Sequence, residues 1–341
     1  MGLNGISYYA MNQWHVAARR PRGLAAIVPW EGAVDLYREW SYHGGIFSNV
    51  FTDAWWPRQI TGNQHGLDGA DPTQGLPTNA DLPAQLREHP LLDEFYAARR
   101  ADLSRIEVPV LSAGNWGGFA LHLRGNIEGW LAAGTDRKWL EIHHGNHFAP
   151  FYSSESRAYQ KRFLDRFLRD LDSGWDDEPP VKLLIRTSTG GSWRAEQEWP
   201  LARTAWTRFH LGAAGLSESA PDEAATIAYD GRTGGTVFES EPLVEDVEVT
   251  GPSALRLWIS TTGTDADIFV TLDNVLPDGT LATFEDASGM PGPVTKGWLR
   301  ASHRELDEQA STDYRPVHMH TAPVPLEPGE PVAVDVEVIP T

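Results

Sequence analysis

The sequence predicts a two-part protein: an α/β domain built on a parallel sheet and interrupted by an inserted lid, then an all-β sandwich. Strand-like and helix-like segments alternate over residues 1–172, which favours a parallel sheet covered by helices. Beyond them the helical period disappears, and short β-patterned runs separated by turn residues take over. A Gly-, Pro- and Asp-rich stretch inside the first part is too long for an ordinary connection between a strand and a helix.

The first part contains recognisable strands and helices. Continuous apolar runs predict buried strands, and apolar residues at helical spacing predict helices. The predicted strands are LAAIVPW (24–30), VPVLSAG (108–114) and KWLEIHH (138–144). The predicted helices cover residues 7–20, 119–134 and 155–172.

Two stretches of loop-forming composition divide the chain. Residues 40–105 include AWWPRQITGNQHGLDGADPTQGLPTNADLPAQLREHP and are predicted to form a lid inserted into the α/β domain. SGWDDEPPVKLLIR (173–186) combines glycine, an acidic run and two prolines, as domain boundaries often do. The predicted divisions are an α/β core at 1–39 and 106–175, a lid at 40–105 and a β-sandwich at 176–341.

The composition excludes several classes of partner and chemistry. The net charge is −19, which argues against nucleic acid or an anionic membrane as a partner, because both need basic patches. There is no cysteine, so disulfides and thiolate chemistry are excluded. No apolar run approaches the length of a membrane span, and residues 1–20 lack the order of a signal peptide. A cytoplasmic protein with a small-molecule partner is predicted, and a homo-oligomer is left open.

A Gly-x-Ser sequence lies between the first predicted strand and the first predicted helix, in MGLNGISYYAMNQWHVAARR. Such a turn is typical of a nucleophile elbow, which lifts a serine hydroxyl above the carboxyl edge of the sheet. Ser7 is therefore the candidate nucleophile, and the backbone N–H of Tyr8 a candidate oxyanion donor. Gly5 is expected to be needed because a side chain there would collide with the turn. A serine that caps an ordinary helix is the alternative for a motif this short.

A second candidate group lies in EIHHGNHFAPFY (141–152). His143 and His144 belong to the predicted strand, and their place on it explains them without chemistry. His147 lies in the loop that follows, where hydrolases built on a parallel sheet carry their catalytic histidine, after the serine and the acid in chain order. His147 is therefore the candidate base. A metal site is disfavoured, because no carboxylate lies beside these histidines at a recognisable ligand spacing.

Five segments carry a resemblance to a known family. They are GISYYAMNQW, VPVLSAGNWGGFALHLRGNIEGW, KWLEIHHGNHFAPFY, QKRFLDRFLRDLDSGWDDEPPVKLLIR and GWLRASHREL. In this order, over essentially the whole chain, they resemble the X-Pro dipeptidyl-peptidase family, also called CocE/NonD hydrolases. Its members include X-Pro dipeptidyl-peptidases, cocaine esterase, α-amino-acid ester hydrolases and glutaryl acylases.

The resemblance implies an α/β-hydrolase core, a helical cap and a C-terminal jelly roll of the galactose-binding type. It also implies that Ser7 is the nucleophile and His147 the base, and that no cofactor is required. Family members carry a long segment before the elbow, with the first strands and an oxyanion tyrosine, and further strands at the other end. The chain is therefore expected to be an internal part of a longer enzyme, with an incomplete sheet, and to be inactive and poorly soluble alone. One hypothesis is that Met1 is an internal valine codon read as a start.

The chain departs from the family in the third catalytic group. The family aspartate would fall at Gly117 in GNWGG (114–118), and a glycine cannot orient an imidazole. Some α/β-hydrolases place the acid after the preceding strand, where this chain has Glu31, and Glu31 is therefore the predicted acid. Asp35 is the runner-up, and Asn115 could orient the histidine without charge. A charge that merely favours a helix N-terminus is the alternative for Glu31.

Three aromatic residues flank these loops. Trp30, Trp116 and Phe148 are predicted to line a pocket for the acyl or amine group of a substrate, with packing in the core as the alternative. The sequence thus predicts a serine hydrolase that cleaves small esters, amides or short peptides through an acyl-enzyme, similar to X-Pro dipeptidyl-peptidases or cocaine esterase. The alternative is a catalytically inactive chain whose jelly roll serves as a binding or assembly module.

Overall fold

The first sheet of the protein has six strands. A computed structural model describes residues 1–61 and 81–341. The strands of its first part are β1 (Gly2–Ile6), β2 (Ala26–Trp30), β3 (Tyr42–His43), β4 (Ile46–Phe47), β5 (Val110–Asn115), β6 (Lys138–His143), β7 (Val181–Thr187) and β8 (Gly190–Glu196). The sheet has the order β1-β2-β5-β6-β7-β8, and β3 pairs with β4 alone. Strands β1 to β7 of the sheet are parallel and β8 is antiparallel to β7, so the α/β part of the predicted fold class is confirmed.

Helices cover both faces of this sheet. The helices of the described residues, including those of the lid, are α1 (Tyr8–Ala18), α2 (Asn49–Trp56), α3 (Leu82–Glu88), α4 (Glu94–Ala97), α5 (Leu123–Ala132), α6 (Ala149–Tyr152) and α7 (Ser154–Arg169). Successive strand residues point to opposite faces. Ile27 accordingly packs with Trp14 of α1, whereas its neighbour Val28 packs with Phe163 of α7. Both faces of β2 are therefore buried, which explains why this strand is a continuous apolar run.

The lid contains helices and packs around a small apolar cluster. Tyr42, Leu86 and Tyr96 of the lid are buried together with Tyr37, which lies just before it. Residues 62–80 of the predicted lid lie outside the described residues. Trp55 of α2 meets the ring of Tyr8 edge-on at 5.7 Å between centroids. The described part of the lid thus reaches the N-terminus of α1.

The C-terminal part is rich in β-structure, as predicted. Its strands are β9 (His210–Gly212), β10 (Gly215–Ser217), β11 (Ser253–Ile259), β12 (Asp267–Leu272), β13 (Asn274–Val275), β14 (Leu281–Ala282), β15 (Phe284–Glu285), β16 (Pro291–Gly292), β17 (Thr295–Arg300) and β18 (Val332–Val338). Four of them form an antiparallel sheet in the order β11-β18-β17-β12, and the others form two-stranded ribbons. Leu299, Val334 and Val336 lie at the centre of the core on one face of the four-stranded sheet.

The predicted boundary at residue 176 does not end the first sheet. VKLLIRT had been assigned to the β-sandwich, but β7 pairs parallel with β6, with Leu140 opposite Val181 and Ile142 opposite Leu183. Strand β8 then adds an antiparallel edge. A short β-patterned run shows its type but not its partner, because pairing depends on contacts distant in sequence. Residues 181–196 therefore extend the first sheet, and the division of the chain at residue 176 stays a prediction.

An ion-pair cluster joins the two parts. Arg124 at the start of α5 lies 3.0 Å from Glu337 of β18 and 3.2 Å from Glu39. All three side chains are mostly buried, so the pairs hold the four-stranded sheet to the α/β core with little screening by solvent. No helix among the described residues is long and apolar enough to cross a membrane.

Candidate active site

Three of the predicted site residues meet at one edge of the parallel sheet. Ser7 follows β1, Glu31 follows β2 and His147 lies in the loop after β6. The carboxyl ends of parallel strands share one edge, where α/β proteins form their sites. The structure thereby brings Glu31 into contact with His147, from which it is separated by more than a hundred residues of sequence, at the edge where Ser7 also lies.

Ser7 has the backbone of a sharp turn. Its φ is 63° and its ψ is −127°, a conformation that costs a non-glycine residue free energy and persists only where the surroundings impose it. Its N–H donates to the carbonyls of Trp30 and Glu31, both at 3.0 Å. A Cβ added at Gly5 would lie 2.7 Å from the Cβ of Tyr9, so the turn requires glycine there. Ser7 makes no side-chain cap hydrogen bond to α1, which removes the support for the alternative of a helix cap.

The backbone N–H of Tyr8 is the first of helix α1. The first N–H groups of a helix have no acceptor within it. Among the described residues no backbone acceptor is found for Tyr8 N–H. This donor is therefore available beside the hydroxyl of Ser7, as an oxyanion site requires.

The carboxylate of Glu31 contacts two histidines, one with each oxygen. Its Oε2 lies 2.8 Å from His147 Nδ1, and its Oε1 lies 3.0 Å from His143 Nε2. The side chain has no exposed surface, so it is not a solvated charge at a helix end. Burial alone would raise the pKa of Glu31, but the hydrogen bonds and charges of His143 and His147 outweigh it and lower the pKa to about 2. Glu31 is thus an ionised carboxylate fixed on the ring of His147.

His143 belongs to this network, although the sequence had suggested a structural role only. Burial lowers its pKa, but Glu141, 3.4 Å from Nδ1, and Glu31 together raise it to about 9. The ring stacks on Trp30 at 4.9 Å between centroids. One signal could have found this role: residues 141 and 143 lie on the same face of a strand, where a buried carboxylate and a buried imidazole pair.

His122 is the imidazole that contacts the candidate nucleophile, and sequence reasoning missed it. Its Nε2 lies 3.2 Å from Ser7 Oγ. Among the described residues no hydrogen bond joins Ser7 to His147, whose ring stacks on that of His122 at 5.2 Å with 21° between the planes. His122 precedes α5 and lies outside any catalytic motif, so no local sequence pattern indicated that it belongs to the site. The site therefore contains two stacked imidazoles, of which that of His122 contacts the serine.

The other candidates for the acid occupy different places. Asp35 is paired with Arg38 at 2.8 Å, so it is not the carboxylate on the histidine. Asn115 does not orient the imidazole either: its Nδ2 donates to the Gly145 carbonyl at 2.7 Å and lies 3.4 Å from Glu31. These contacts hold the loop of His147 and the carboxylate of Glu31, not the ring itself.

Gly117, where the family aspartate would fall, has no room for a side chain. A Cβ there would lie 2.7 Å from the carbonyl oxygen of Glu285 and 2.8 Å from the Cα of Asp286. The ribbon of β15 and β16 supplies these atoms. Between its strands, Ala287 N–H donates to the Gly117 carbonyl at 3.0 Å, and the Ala287 carbonyl accepts from His147 N–H at 2.8 Å. The C-terminal part thus supports the loop that carries His147.

Two of the three aromatic residues that are predicted to line a pocket are buried in the core. Trp30 has no exposed surface and packs in the core between the sheet and α7. Trp116 is also buried, and its Nε1 donates to the Leu184 carbonyl at 2.8 Å. Burying such a large apolar side chain in the core removes more of its surface from water than a place at a pocket wall would, and so stabilises the fold more. Phe148 is 59 % exposed, and its ring lies 4.7 Å from that of His147.

Within residues 1–61 and 81–341 no cluster of three or more His, Asp or Glu side chains could hold a metal ion. The histidines at the sheet edge are engaged instead with carboxylates, with the serine and with each other.

Comparison with known proteins identifies the family. Residues 1–149 match the X-Pro dipeptidyl-peptidase (S15) family, and residues 173–341 match the C-terminal non-catalytic domain of X-Pro dipeptidyl-peptidases. The chain belongs to the X-Pro dipeptidyl-peptidase family. Among curated members, the cocaine esterase of Rhodococcus is 26 % identical over 82 % of this chain and 63 % of its own length.

Solved structures agree with membership of the X-Pro dipeptidyl-peptidase family. A CocE/NonD family hydrolase from Staphylococcus aureus is 32 % identical, with a TM-score of 0.89 over 100 % of this chain and 61 % of its own. An α-amino acid ester hydrolase shares the fold, with 19 % identity and a TM-score of 0.74. The chain spans about three fifths of the length of the cocaine esterase and of the staphylococcal hydrolase.

Proposed function

We propose that the protein is a serine hydrolase that cleaves ester or amide bonds through an acyl-enzyme on Ser7. One observation carries the proposal: the strained elbow of Ser7 shares a sheet edge with a buried carboxylate fixed on a loop histidine, Glu31 on His147, at 2.8 Å. A serine, an imidazole and a buried carboxylate on the imidazole Nδ1 are the groups that acyl transfer requires. Membership of a family of hydrolases supports the same reaction class.

Each group has a defined part in the proposed reaction. Ser7 Oγ attacks the carbonyl carbon of the substrate, and its proton passes to Nε2 of His147. The electron pair of the carbonyl moves onto its oxygen, which accepts a hydrogen bond from Tyr8 N–H. Glu31 holds the Nδ1–H tautomer of His147 and stabilises the imidazolium. The leaving group takes the proton from His147, and water releases the acyl group by the reverse sequence. No step needs a cofactor.

His147 is preferred to His122 as the base because of its second nitrogen. The Nδ1 of His147 is hydrogen-bonded to a carboxylate, whereas the Nδ1 of His122 is buried and has no hydrogen-bond partner among the described residues. A base without a carboxylate on its Nδ1 becomes charged at a high cost when it is buried. Catalytic hydrogen bonds are often long before substrate binds, so the absence of a direct bond from Ser7 to His147 does not exclude this assignment.

The proposed substrates are small esters, amides or short peptides, of the kinds that X-Pro dipeptidyl-peptidases and cocaine esterase cleave. The names of the relatives support this class, which includes both amide and ester bonds. The exposed ring of Phe148 next to His147 offers apolar surface to an acyl or amine group. A screen of X-Pro anilides, short acyl esters and β-lactam side-chain amides would rank these classes.

The test is active-site labelling of the full-length protein with a fluorophosphonate. Labelling at Ser7 that is abolished in Ser7→Ala and retained in Ser154→Ala, an exposed serine at the start of α7, is expected. Labelling that survives Ser7→Ala would refute the assignment of the nucleophile. A folded wild-type protein that is neither labelled nor active on any substrate class would favour the catalytically inactive alternative, in which the C-terminal part is a binding or assembly module.

A further inference from the structure

The contact between His122 and Ser7 has no place in the three-residue mechanism described above. His122 lies immediately before α5, and its side chain is buried, with only 3 % of the residue exposed. Its Nε2 is 3.2 Å from Ser7 Oγ, the atom that attacks the substrate. A buried polar group so close to the nucleophile must either donate to it or accept from it.

The surroundings of the ring favour donation. The Nδ1 of His122 is buried without a hydrogen-bond partner among the described residues. If Nδ1 carried the proton, a buried N–H would be orphaned, which is rarer in proteins than an under-used acceptor. The proton is therefore placed on Nε2, where Ser7 Oγ accepts it. This tautomer leaves the hydroxyl proton of Ser7 free to be donated to another group.

The ring is also kept neutral. Burial lowers the pKa of His122 to about 3, the charge of His147 lowers it as well, and Glu31 opposes the shift only in part. Proton transfer from Ser7 makes His147 positive, and that charge further disfavours a second proton nearby. A single proton thus stays on His122 throughout the reaction.

We propose that His122 is a second catalytic imidazole, which donates its Nε2–H to Ser7 Oγ. This role rests on the proposed function of Ser7. In the attack, the bond between Oγ and the carbonyl carbon forms, the carbonyl π pair moves to its oxygen, and the hydroxyl proton goes to His147. His122 keeps its own proton. Its hydrogen bond stabilises the negative charge that grows on Oγ as the hydroxyl proton leaves, and orients the lone pair that attacks.

The stacking of the His122 and His147 rings is consistent with His147 as the proton acceptor and His122 as the hydrogen-bond donor. The ring of His122 lies 5.2 Å from that of His147 at an angle of 21°. A neutral ring face next to an imidazolium stabilises the cation, whereas a second charged imidazole would repel it. One imidazole can therefore accept the proton while the other remains a donor.

Two variants of His122 distinguish a role as hydrogen-bond donor to Ser7 from a role as catalytic base. His122→Gln keeps an N–H near the position of Nε2 but is no base, and His122→Leu keeps much of the volume and has neither property. His144→Gln and His144→Leu are matched controls, because His144 follows the same sheet edge but its ring faces Phe284. The readouts are the rate of fluorophosphonate labelling of Ser7, and kcat and KM on an ester substrate.

If His122 is a donor, His122→Leu lowers the labelling rate and kcat by about 10²-fold with little change in KM, the loss seen when one oxyanion donor is removed. His122→Gln then stays within about tenfold of the wild-type rate, and the His144 variants change little. Equal and complete loss in both His122 variants would overturn the proposal in favour of His122 as the base. Wild-type rates in a folded His122→Leu protein would overturn it in favour of packing.

A second measurement decides the question if His122→Leu does not fold. In the full-length wild-type protein labelled with 15N-histidine, NMR is expected to show His122 as the neutral Nε2–H tautomer, with a resonance that shifts in Ser7→Ala. An Nδ1–H tautomer, or an imidazolium near neutral pH, would overturn the proposal. If Ser7 of the wild-type protein is not labelled, both the proposed function and the role of His122 are refuted. If Ser7 is labelled normally but His122 is not the Nε2–H tautomer, only the role of His122 is refuted.

Discussion

The ends of β2 and β5 lie side by side in the sheet, yet they serve the site in different ways. Trp30 and Ala113 are in register, so the next residues of both strands emerge at the same edge. After β2 the chain turns at Glu31, whose φ is 45°, and its carboxylate is buried on two histidines. After β5 the chain turns at Gly117, where the backbone of Glu285 and Asp286 occupies the space of a side chain. The place of the acid depends on what packs above each strand end.

Gly117 and Gly118, which follow β5, differ in how much room they leave for a side chain. A Cβ at Gly117 would meet backbone atoms at 2.7 and 2.8 Å, whereas a Cβ at Gly118 would have no neighbour closer than 3.7 Å. Backbone atoms of the C-terminal part cannot move aside as a flexible side chain can. A carboxylate at this position after β5 is therefore incompatible with the packing, and the carboxylate that contacts the His147 ring comes from the end of β2 instead.

Removing the carboxylate at the end of β2 is expected to have the largest effect. Glu31→Gln keeps the shape of the side chain but not its charge, so His147 loses the group that fixes its tautomer and stabilises its imidazolium. We expect kcat to fall by roughly 10³–10⁴-fold, as in other triads that lose the charge of the acid. The control is Glu285→Gln, which removes the charge of an exposed carboxylate that lies close to Gly145 in the His147 loop. A decrease of less than about tenfold in a folded variant would show that Glu31 is not the acid.

Moving the carboxylate to the end of β5 should fail. Gly117→Asp forces a side chain against the backbone of the ribbon, and overpacking of this kind typically costs about 1–3 kcal/mol. We expect a lower melting temperature for Gly117→Asp, near-wild-type stability for Gly118→Ala, and no rescue of Glu31→Gln by Gly117→Asp. A double variant that recovers activity would show that the two strand ends are interchangeable.

His143 is expected to tune the acid at the end of β2. His143→Gln removes a positive charge that helps to lower the pKa of Glu31, so the pKa of this carboxyl rises in the variant. The acid limb of the kcat/KM profile should move to higher pH, with a loss of about tenfold near neutral pH if the effect resembles that of other positioning groups. His144→Gln is the matched control. Identical profiles for both variants would show that His143 is only packed there.

Stability should depend on pH through the same residue. The pKa of His143 is raised from 6.5 to about 9, so the native state holds a proton there that the unfolded chain loses. The stabilisation is complete below pH 6.5 and is lost as the pH rises through about 9. The free energy of unfolding, measured by denaturant titration between these values, should decrease with pH more steeply in the wild-type protein than in His143→Gln. Parallel curves would contradict the assigned charge.

The smallest effect is expected from the ribbon above the end of β5. Asp286 Oδ1 accepts hydrogen bonds from the N–H groups of Ser288 and Met290, and so shapes the turn that holds His147 through Ala287. Asp286→Ala should lower kcat by about two- to fivefold with KM unchanged, the size of effect expected when positioning is loosened rather than removed. Asp278→Ala removes a similar turn contact, to Thr280, away from the site, and should have no effect on kcat. Equal effects of the two variants would show that the ribbon does not position His147.

Much of the architecture could be predicted from the sequence, because hydrophobic period and chain order are local signals. Ser7, Glu31 and His147 were each predicted from their place after a strand, and the three do lie at one edge of the sheet, since parallel strands bring such positions together. His122 could not be found in this way, because its approach to Ser7 depends on how the segment before α5 folds back. The burial of Trp30 and Trp116 could not be predicted either. An aromatic residue at the end of a strand gives the same sequence pattern whether its side chain packs in the core or lines a pocket. Strand pairing across residue 176 required contacts that no local pattern contains.

The measurement that tests the account most directly is a crystal structure of the full-length protein after reaction with a fluorophosphonate. We expect a phosphonyl group on Ser7 Oγ with its oxygen near Tyr8 N–H. The Nε2 of His147 should be turned to Oγ while its Nδ1 remains on Glu31. The ring of His122 should still donate to Oγ from its Nε2. A structure in which Glu31 has left His147, with another carboxylate on that imidazole or none, would contradict the claim that the end of β2 supplies the catalytic acid.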